Sequence, residues 1–125
     1  MRAYTVATAA LTLNVRVKWV DNTLSHHSIP GVVHKRQGVT RRLTPPAIVT
    51  LDIALQLTAE LSLPLAKAVE VAAHLVHTGG ESAQWRFSEN GLLTMDVASI
   101  QKAVTDRLAQ AVEVTPVPQR GRPPK

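Results

Sequence analysis

The sequence predicts a mainly α-helical fold with small β-hairpins. Apolar residues recur at intervals of three and four residues in five segments, which is the spacing of a helix with one buried face. Two other segments each contain a pair of β-prone runs around a glycine-containing turn, which is the pattern of a β-hairpin. Hydrophobic residues make up 45% of the 125 residues and aromatic residues only 3%, so the core has to be built from Ala, Val, Leu and Ile. A chain of this length forms one domain, or one domain with a small accessory unit.

The first 24 residues predict two short helices joined by a tight turn. Thr5 can cap a helix over residues 6–13. Asn14 interrupts that pattern, and a second helix can run over residues 16–24. The apolar stripe of the second helix consists of Val15, Trp19, Val20 and Leu24. Its outer face carries Arg16, Lys18, Asp21 and Asn22. Trp19 could stack on a base, but its place in the apolar stripe favours the core.

A basic hairpin is predicted after these two helices. Residues 25–31 have the composition of a loop. The β-prone runs 32–33 and 39–40 then surround Gly38, which can supply the positive φ of a tight turn. The cations along the hairpin are Lys35, Arg36, Arg41 and Arg42. Because a two-stranded hairpin cannot bury these like charges, it holds them outward, either toward an anionic partner or simply toward solvent.

The middle of the chain predicts a pair of longer helices. Pro45 or Pro46 lies in the first turn of a helix that ends near residue 61. Ser62 is expected to cap the following helix, which stops at Gly79-Gly80. The residues expected to face inward on the first of these helices are Ile48, Leu51, Ala54, Leu55 and Leu61.

A second hairpin and one more helix are expected after residue 80. Residues 83–95 can form a hairpin that turns at Glu89-Asn90-Gly91. Asp96 then caps a helix that runs to about residue 112, and the apolar edge of this helix needs a partner in the same domain or in a second subunit. Trp85 in the hairpin belongs either to the core or to a partner surface.

The formal net charge of +5 conceals an uneven distribution. Residues 1–43 carry seven Lys or Arg and one acid, whereas residues 44–114 carry four Lys or Arg and eight acids. Residues 115–125 carry three cations and no acid. Two basic ends around an acidic middle favour a polyanionic partner, with a separate module for another role.

The order helix, tight turn, helix and basic hairpin is that of a winged helix-turn-helix. In that arrangement the second helix enters the major groove of DNA, where Arg and Lys suit guanine and Asn suits adenine. Arg16, Lys18 and Asn22 are therefore the candidate base or phosphate contacts. The hairpin would lie along phosphates or reach a minor groove, and each neutralised phosphate releases counterions. Its candidate contacts are His34, Lys35, Arg36, Thr40, Arg41 and Arg42.

The segment YTVATAALTLNVRVKWVDNTL, residues 4–24, resembles the opening of MerR-like and excisionase-like DNA-binding domains. The matching residues are Tyr4, Thr5, Val6, Ala9, Ala10, Leu13, Val15, Trp19 and Val20. The segment TRRLT, residues 40–44, is similar to the closure of the family's second wing strand, and residues 47–72 resemble its following helix pair. The resemblance covers about residues 3–77 and implies DNA binding by the helix and the wing.

The chain departs from the family pattern at three points. Ser62 stands where the family usually has Gly. Arg16 stands where the family often has a Ser or Thr cap, so that Asn14 can cap the second helix instead. Few residues remain for the long dimerising helix and effector domain that MerR-type regulators add. The resemblance therefore implies no effector.

The C-terminal segment QRGRPPK, residues 119–125, resembles an AT-hook. Arg120, Gly121, Arg122 and Pro123 match its R-G-R-P core. The resemblance implies that the two arginines lie in an A·T-rich minor groove, whose narrow width concentrates negative potential. The alternative is a solvated basic tail, since the Pro-, Arg- and Gly-rich composition from Thr115 onward predicts disorder.

No residue pattern indicates an enzyme, a cofactor or a membrane anchor. Cysteine is absent, which excludes disulfides and thiolate sites, and no Ser-His-Asp set stands in a recognisable context. His74 and His77 have a spacing that can grip a metal ion, but without a third ligand a surface pair near a helix end fits better. No apolar run is long enough to span a bilayer, and the N-terminus is a poor signal peptide. We therefore expect a cytoplasmic, nucleoid-associated protein with neither cofactor nor metal.

The sequence thus predicts three units. Residues 1–78 form a MerR-like winged helix-turn-helix domain that ends in a helix pair, residues 79–114 form a hairpin plus helix as a candidate oligomerisation module, and residues 115–125 form a disordered basic tail. The expected function is sequence-specific binding of double-stranded DNA by a transcriptional regulator. A homodimer or higher homo-oligomer is expected because one helix reads too few base pairs. The alternatives are an excisionase-like or architectural DNA-bending factor, and an antitoxin-type interaction protein.

Overall fold

A computed structural model of the protein describes residues 2–33 and 41–114. The described chain is mainly helical, at 62%, and contains five helices and two small antiparallel sheets. The predicted class, mainly α with small β, is confirmed.

Two helices joined by a tight turn lie near the N-terminus. The first elements are β1 (Tyr4–Thr5), α1 (Val6–Leu13) and α2 (Val17–His26). Thr5 caps α1 as predicted, because its hydroxyl oxygen accepts a hydrogen bond from the N–H of Thr8 at 3.1 Å. Asn14 ends α1 in the left-handed conformation, at φ 58°. The N–H of Val15 then donates to the carbonyl of Ala10, which closes the turn.

Helix α2 differs from the prediction at both ends. Arg16, and not Asn14, is its N-cap residue, and among the described atoms the Arg16 side chain makes no capping hydrogen bond. At the other end the helix continues through Ser25 and His26, which the sequence assigned to a loop. The N–H of His27 still donates to the Thr23 carbonyl at 2.9 Å. Helical hydrogen bonding therefore continues where composition alone suggests a loop.

A three-stranded antiparallel sheet ties the base of the first hairpin to the N-terminus. The two hairpin strands are β2 (Val32–Val33) and β3 (Arg42–Leu43). The strand order is β1-β3-β2, so Arg42 lies opposite Thr5 on one side and Val33 on the other. The strand expected at residues 39–40 and the turn at Gly38 lie outside the described residues. Strand β1 was not predicted, because two residues are too few to show the alternation of a strand.

The core is built around α3 (Pro45–Leu61), which packs against α4 (Leu65–Thr78). Buried residues lie on almost every face of α3, as expected of a central helix. Ile48 and Leu51 face inward as predicted. Leu61 was expected to face inward as well, but it is 54% exposed. The reason is its position as the last residue of α3, where the chain turns away toward α4.

Ser62 ends α3, which corrects the prediction that it caps α4. Its backbone is left-handed, at φ 58°, and its N–H donates to the carbonyl of Leu57. Pro64 is the N-cap residue of α4. Helix α4 ends before Gly79, as predicted, and this glycine has φ 72°.

The second hairpin and the last helix form as predicted. They consist of β4 (Ala83–Ser88), β5 (Gly91–Met95) and α5 (Val97–Val114). Asp96 caps α5, since its Oδ1 accepts the N–H of Ser99 at 2.9 Å. Helix α5 packs against α1 and α3, and its residues Val97, Val104 and Leu108 are buried. Its apolar edge is therefore covered by the same chain, the first of the two alternatives that the sequence left open.

Residues 79–112 share one hydrophobic core with the part of the chain that precedes them. Ala83 and Val97 belong to the same buried cluster as Leu43 and Leu75. An ion pair between Arg107 Nη2 and Asp52 Oδ2, at 3.1 Å, also joins α5 to α3. The predicted unit boundary coincides with the end of α4, but buried contacts cross it. Among the described helices, none has the length and hydropathy needed to cross a membrane.

We predict that Ser62→Gly raises the free energy of unfolding by about 0.5–1 kcal/mol, because the left-handed backbone is strained for a residue with a Cβ atom. Urea denaturation measures the change. Ser82→Gly is the matched control, since Ser82 is exposed and is not among the residues with positive φ. An equal increase in the free energy of unfolding for both variants, or no increase for Ser62→Gly, would contradict the assignment of strain to the backbone of Ser62.

We also predict that the two parts of the chain unfold together. Trp19 lies in α2 and Trp85 in β4, so Trp85→Phe and Trp19→Phe each leave one fluorescent reporter, one on either side of the boundary. Because α5 packs on α1 and α3, the two variants should each show one denaturation transition that coincides with the loss of helical circular dichroism. If the Trp85 signal changes at a lower denaturant concentration than the circular dichroism of the same variant, residues 79–114 are a separate folding unit.

Candidate nucleic-acid interface

The outer face of α2 presents a row of polar side chains. Lys18 and Asn22 are four residues apart and both are exposed, so they lie on the same face of the helix. Ser25 follows three residues after Asn22 and extends the row by one turn. Arg16, at the N-cap, is also exposed. The three α2 candidates of the sequence analysis, Arg16, Lys18 and Asn22, are thus accessible from outside.

The inner face of α2 holds this row in place. Val20 is fully buried and Leu24 is 8% exposed, while Trp19 is half-buried and packs against the core cluster. This contact agrees with the core placement of Trp19. The hydroxyl of Thr23 donates to the Trp19 carbonyl at 2.8 Å, which satisfies a buried polar group within the helix. The apolar anchor fixes the rotation of α2 and therefore the direction of its polar row.

The base of the basic hairpin lies beside the C-terminal end of α2. Arg41 Nη1 donates a hydrogen bond to Ser25 Oγ across 3.4 Å. Arg42 is exposed and occupies the central strand of the three-stranded sheet. Arg41, which follows the end of α2 by 15 residues, is thereby returned to the polar row of this helix. Arg41 is therefore part of the same surface as the polar row of α2.

Four other members of the predicted hairpin set lie outside the described residues. They are His34, Lys35, Arg36 and Thr40. The tail residues Arg120 and Arg122 also lie outside them. Of the predicted set, the structure describes Arg16, Lys18 and Asn22 on α2 and Arg41 and Arg42 at the hairpin base. Arg41 contacts α2 through Ser25.

Ion pairing differs between the two halves of the described chain. Lys67 pairs with Glu70 at 3.0 Å and Arg107 with Asp52 at 3.1 Å. Within the described ranges, no salt bridge involves Arg16, Lys18, Arg41 or Arg42. Surface cations of the acidic half are thus partly neutralised within the chain. Those around α2 keep their charge available to an external anion.

The histidines of α4 do not form a metal site with their described neighbours. His74 packs edge-on against Trp85, with ring centroids 5.2 Å apart. Over residues 2–33 and 41–114, no group of three or more His, Cys, Asp or Glu side chains is placed to hold a metal ion. Trp85 is half-buried against the core cluster, and Lys67 Nζ lies 6.0 Å from its ring centroid.

An apolar groove of 480 Å³ lies between the end of α3, α4 and the second hairpin. Its lining includes Leu61, Leu63, Val71, Trp85, Phe87 and Leu93. Leu61 and Phe87 are 54% and 66% exposed. None of the candidate DNA contacts that the structure describes lines this groove, so the described chain offers two distinct surfaces, one cationic and one apolar.

Sequence reasoning missed two contributors to the cationic surface. Ser25 was assigned to a loop, although its position three residues after Asn22 and seven after Lys18 could have placed it on the same helix face. Strand β1 was missed because Tyr4-Thr5 carries no strand periodicity. Its pairing with β3, which places Tyr4 opposite Leu43 and Thr5 opposite Arg42, identifies it.

Comparison with known proteins adds no relative. No family model matches the chain, and no curated protein or solved structure is significantly similar to it. The resemblance of residues 3–77 to MerR-like and excisionase-like domains therefore stays a prediction.

Proposed function

We propose that the protein binds double-stranded DNA as a winged helix-turn-helix regulator of transcription, with α2 in the major groove and the basic hairpin on the adjacent backbone or minor groove. The observation that carries this proposal is the contact between Arg41 and Ser25. It joins the base of the cationic hairpin to the exposed polar row of α2.

The chemistry of the α2 row suits the edges of base pairs. A helix fits the width of the major groove, where a lysine can donate to guanine and an asparagine can pair with adenine through two hydrogen bonds. Lys18 and Asn22 occupy successive turns of the same face. Arg16 precedes them at the end of the helix where the partial positive charge of the backbone lies. All three positions favour an approach of the α2 N-terminus toward a polyanion.

The hairpin would supply most of the affinity. Arg41 and Arg42 stand at its base, and Lys35 and Arg36 belong to the same sequence segment. Each phosphate that such a cation neutralises releases a counterion, so binding should weaken steeply as salt rises. This electrostatic contribution to affinity is the same for every DNA sequence, so sequence specificity would depend on α2.

The left-handed backbone of Ser62 supports the family resemblance on which the proposal also draws. Ser62 stands where the resembled family usually has Gly, and a left-handed residue at a helix C-terminus is the position that Gly favours. Ser in place of Gly at position 62 is therefore compatible with the turn between helices that the family forms at this position.

Self-association on DNA is part of the proposal, because one α2 helix reads too few base pairs for useful specificity. The apolar edge of α5 is covered by α1 and α3, so a second copy would use a different surface. Sites in inverted repeat would accompany a two-fold dimer. Sites in direct repeat would favour the excisionase-like or architectural alternative.

The apolar groove favours one alternative function, that of an antitoxin-type interaction protein. Phe87 and Leu61 at this groove are exposed, and exposed apolar patches often mark protein-binding surfaces. Stoichiometric co-purification of a second protein, lost on Phe87→Ser and retained on Arg41→Ala, would support this alternative over DNA regulation.

We predict that Arg41→Ala/Arg42→Ala weakens binding to a labelled random-sequence duplex and makes its salt dependence shallower. Removing two phosphate contacts should reduce the slope of log K against log [salt] by about 2. Fluorescence anisotropy across a salt series measures both quantities. The matched control, Arg86→Ala/Lys102→Ala, removes the same charge from exposed positions of the acidic half and should leave the slope unchanged. Equal salt slopes for the wild type and both double variants would contradict phosphate contacts by the hairpin base. If the wild-type protein does not bind the duplex at low salt, DNA binding itself is contradicted.

Substitutions on α2 should alter sequence preference more than total affinity. We predict that Asn22→Ala relaxes the preference at one base-pair position of a selected site by roughly 1–3 kcal/mol, while affinity for random duplexes changes little. Selection from a random library followed by sequencing measures the preference at each position. Asp21→Ala, on the neighbouring exposed position, is the control. An unchanged site for Asn22→Ala would place the base-reading residues elsewhere.

A further inference from the structure

The last turn of α2 carries a histidine whose ring has a defined hydrogen bond. His26 is exposed, and its Nδ1 lies 2.8 Å from the backbone carbonyl oxygen of Asn22, one turn earlier in the helix. A carbonyl oxygen can only accept a hydrogen bond, so Nδ1 carries a proton and donates it. The other ring nitrogen, Nε2, lies on the far side of the imidazole from this bond.

His26 adds one residue to the polar row of α2. Lys18, Asn22 and His26 follow one another at intervals of four residues, so they occupy successive turns of the helix. Ser25, the residue before His26, accepts the hydrogen bond from Arg41 Nη1. His26 therefore lies where the polar row meets the base of the cationic hairpin.

The place of His26 in the helix favours a phosphate over a base as its partner. In helix-turn-helix proteins the N-terminal residues of the recognition helix contact base edges, and Arg16 and Lys18 stand at that end of α2. His26 is the last residue of α2. It adjoins the hairpin base, whose arginines are proposed to bind phosphates. A phosphate offers only acceptor oxygens, so a donor at Nε2 is needed.

The hydrogen bond to Asn22 decides which form of His26 can bind a phosphate. In the neutral ring the single proton stays on Nδ1, so Nε2 is an acceptor and cannot bond to a phosphate oxygen. Moving the proton to Nε2 would break the bond to the Asn22 carbonyl. The imidazolium form keeps that bond, donates from Nε2 and supplies a positive charge.

No carboxylate of the described chain neutralises His26. Within residues 2–33 and 41–114, no salt bridge involves this histidine. Helix α1, which packs against α2, carries no titratable side chain. The other titratable side chains of α2, its C-cap and the hairpin base are Lys18, Asp21, His27, Arg41 and Arg42. Since cations predominate among these, an external anion is what would stabilise the imidazolium.

We propose that His26 is a phosphate-binding residue, which donates from Nε2 to the DNA backbone beside Arg41 only when its imidazole is protonated. The inference rests on the proposed DNA binding by α2 and the hairpin, and it adds a contact and a linked proton. Because the bound state requires the proton, each protomer takes up as much as one proton on binding. Affinity for DNA therefore rises as the pH falls through the range in which imidazoles titrate, about 8 to 6.

The first experiment measures affinity for a labelled random-sequence duplex by fluorescence anisotropy at pH 6, 7 and 8 and constant salt. One linked proton limits the change to about 10-fold per pH unit. We expect wild-type affinity to be on the order of 10-fold higher at pH 6 than at pH 8. The control is His77→Gln, at an exposed position near the end of α4, which should keep the wild-type pH dependence.

Two substitutions at position 26 separate charge from shape. His26→Gln removes the charge, so it should lower affinity by on the order of 10-fold at pH 6 and change it little at pH 8. His26→Lys keeps a positive charge throughout this range. It should therefore bind about equally well at pH 6 and pH 8.

The salt dependence provides a readout that a purely structural role would not change. Lowering the pH from 8 to 6 should steepen the wild-type slope of log K against log [salt] by about 1, because one more cation then lies on a phosphate. His26→Gln should show the same slope at both pH values. His77→Gln should behave as the wild type does.

A second experiment tests the hydrogen bond without DNA. Protonated and unprotonated ring nitrogens have different chemical shifts, so a long-range proton–nitrogen correlation spectrum of the free protein at pH 8 identifies the tautomer of each histidine. The His26 signals are those absent from the spectrum of His26→Gln. We expect the proton on Nδ1. A proton on Nε2 would overturn the proposal, because the neutral ring could then donate to a phosphate without proton uptake.

The outcomes separate failure of this contact from failure of the proposed function. If the wild-type protein binds no duplex at either pH 6 or pH 8, DNA binding is wrong and the His26 contact with it. If the wild type binds equally at both pH values, or His26→Gln keeps the pH dependence, the contact is overturned and DNA binding stands. An equal loss of affinity for His26→Gln at both pH values would make His26 a structural residue of α2, which also overturns the proposal.

Discussion

The burial of α3 is the constraint on which the rest of the structure depends. Ile48, Leu51 and Ile53 are all fully buried, and this helix packs against α1, α4, α5 and β3. A helix that is apolar on nearly every side has to be surrounded, so the elements before and after it must wrap around it. The N-terminal helix pair and the C-terminal helix, far apart in sequence, therefore meet on its surface.

This arrangement separates the charges of the chain. With α1 packed against α3 and α5, the apolar stripe of α2 anchors inward and its polar row faces out. Strand pairing between Thr5 and Arg42 returns the hairpin base to the same neighbourhood. The acidic half forms ion pairs of its own, Lys67 with Glu70 and Arg107 with Asp52. The result is one surface of accessible cations beside a partly self-neutralised body.

Local sequence signals predicted most element boundaries because their causes are local. Thr5 and Asp96 cap helices through their own side chains, and Gly79 ends α4 by adopting a positive φ. The errors have a different cause. Ser62 has the side chain of an N-cap residue but lies in the left-handed position that ends α3, and Ser25 with His26 has loop composition but continues α2. In both cases the packing of the adjacent helices outweighs the preference of the residue.

The sequence by itself determined the helical class, the caps at Thr5 and Asp96, the polar row of α2 and the unequal distribution of charge, because these follow from periodicity and from side-chain chemistry. Only the tertiary structure decided that Arg41 contacts Ser25, that β1 completes the sheet at Arg42, and that α5 ends beside Asn14. Each of these is a contact between residues distant in the chain. Such contacts arise from burial around α3, which no local pattern encodes.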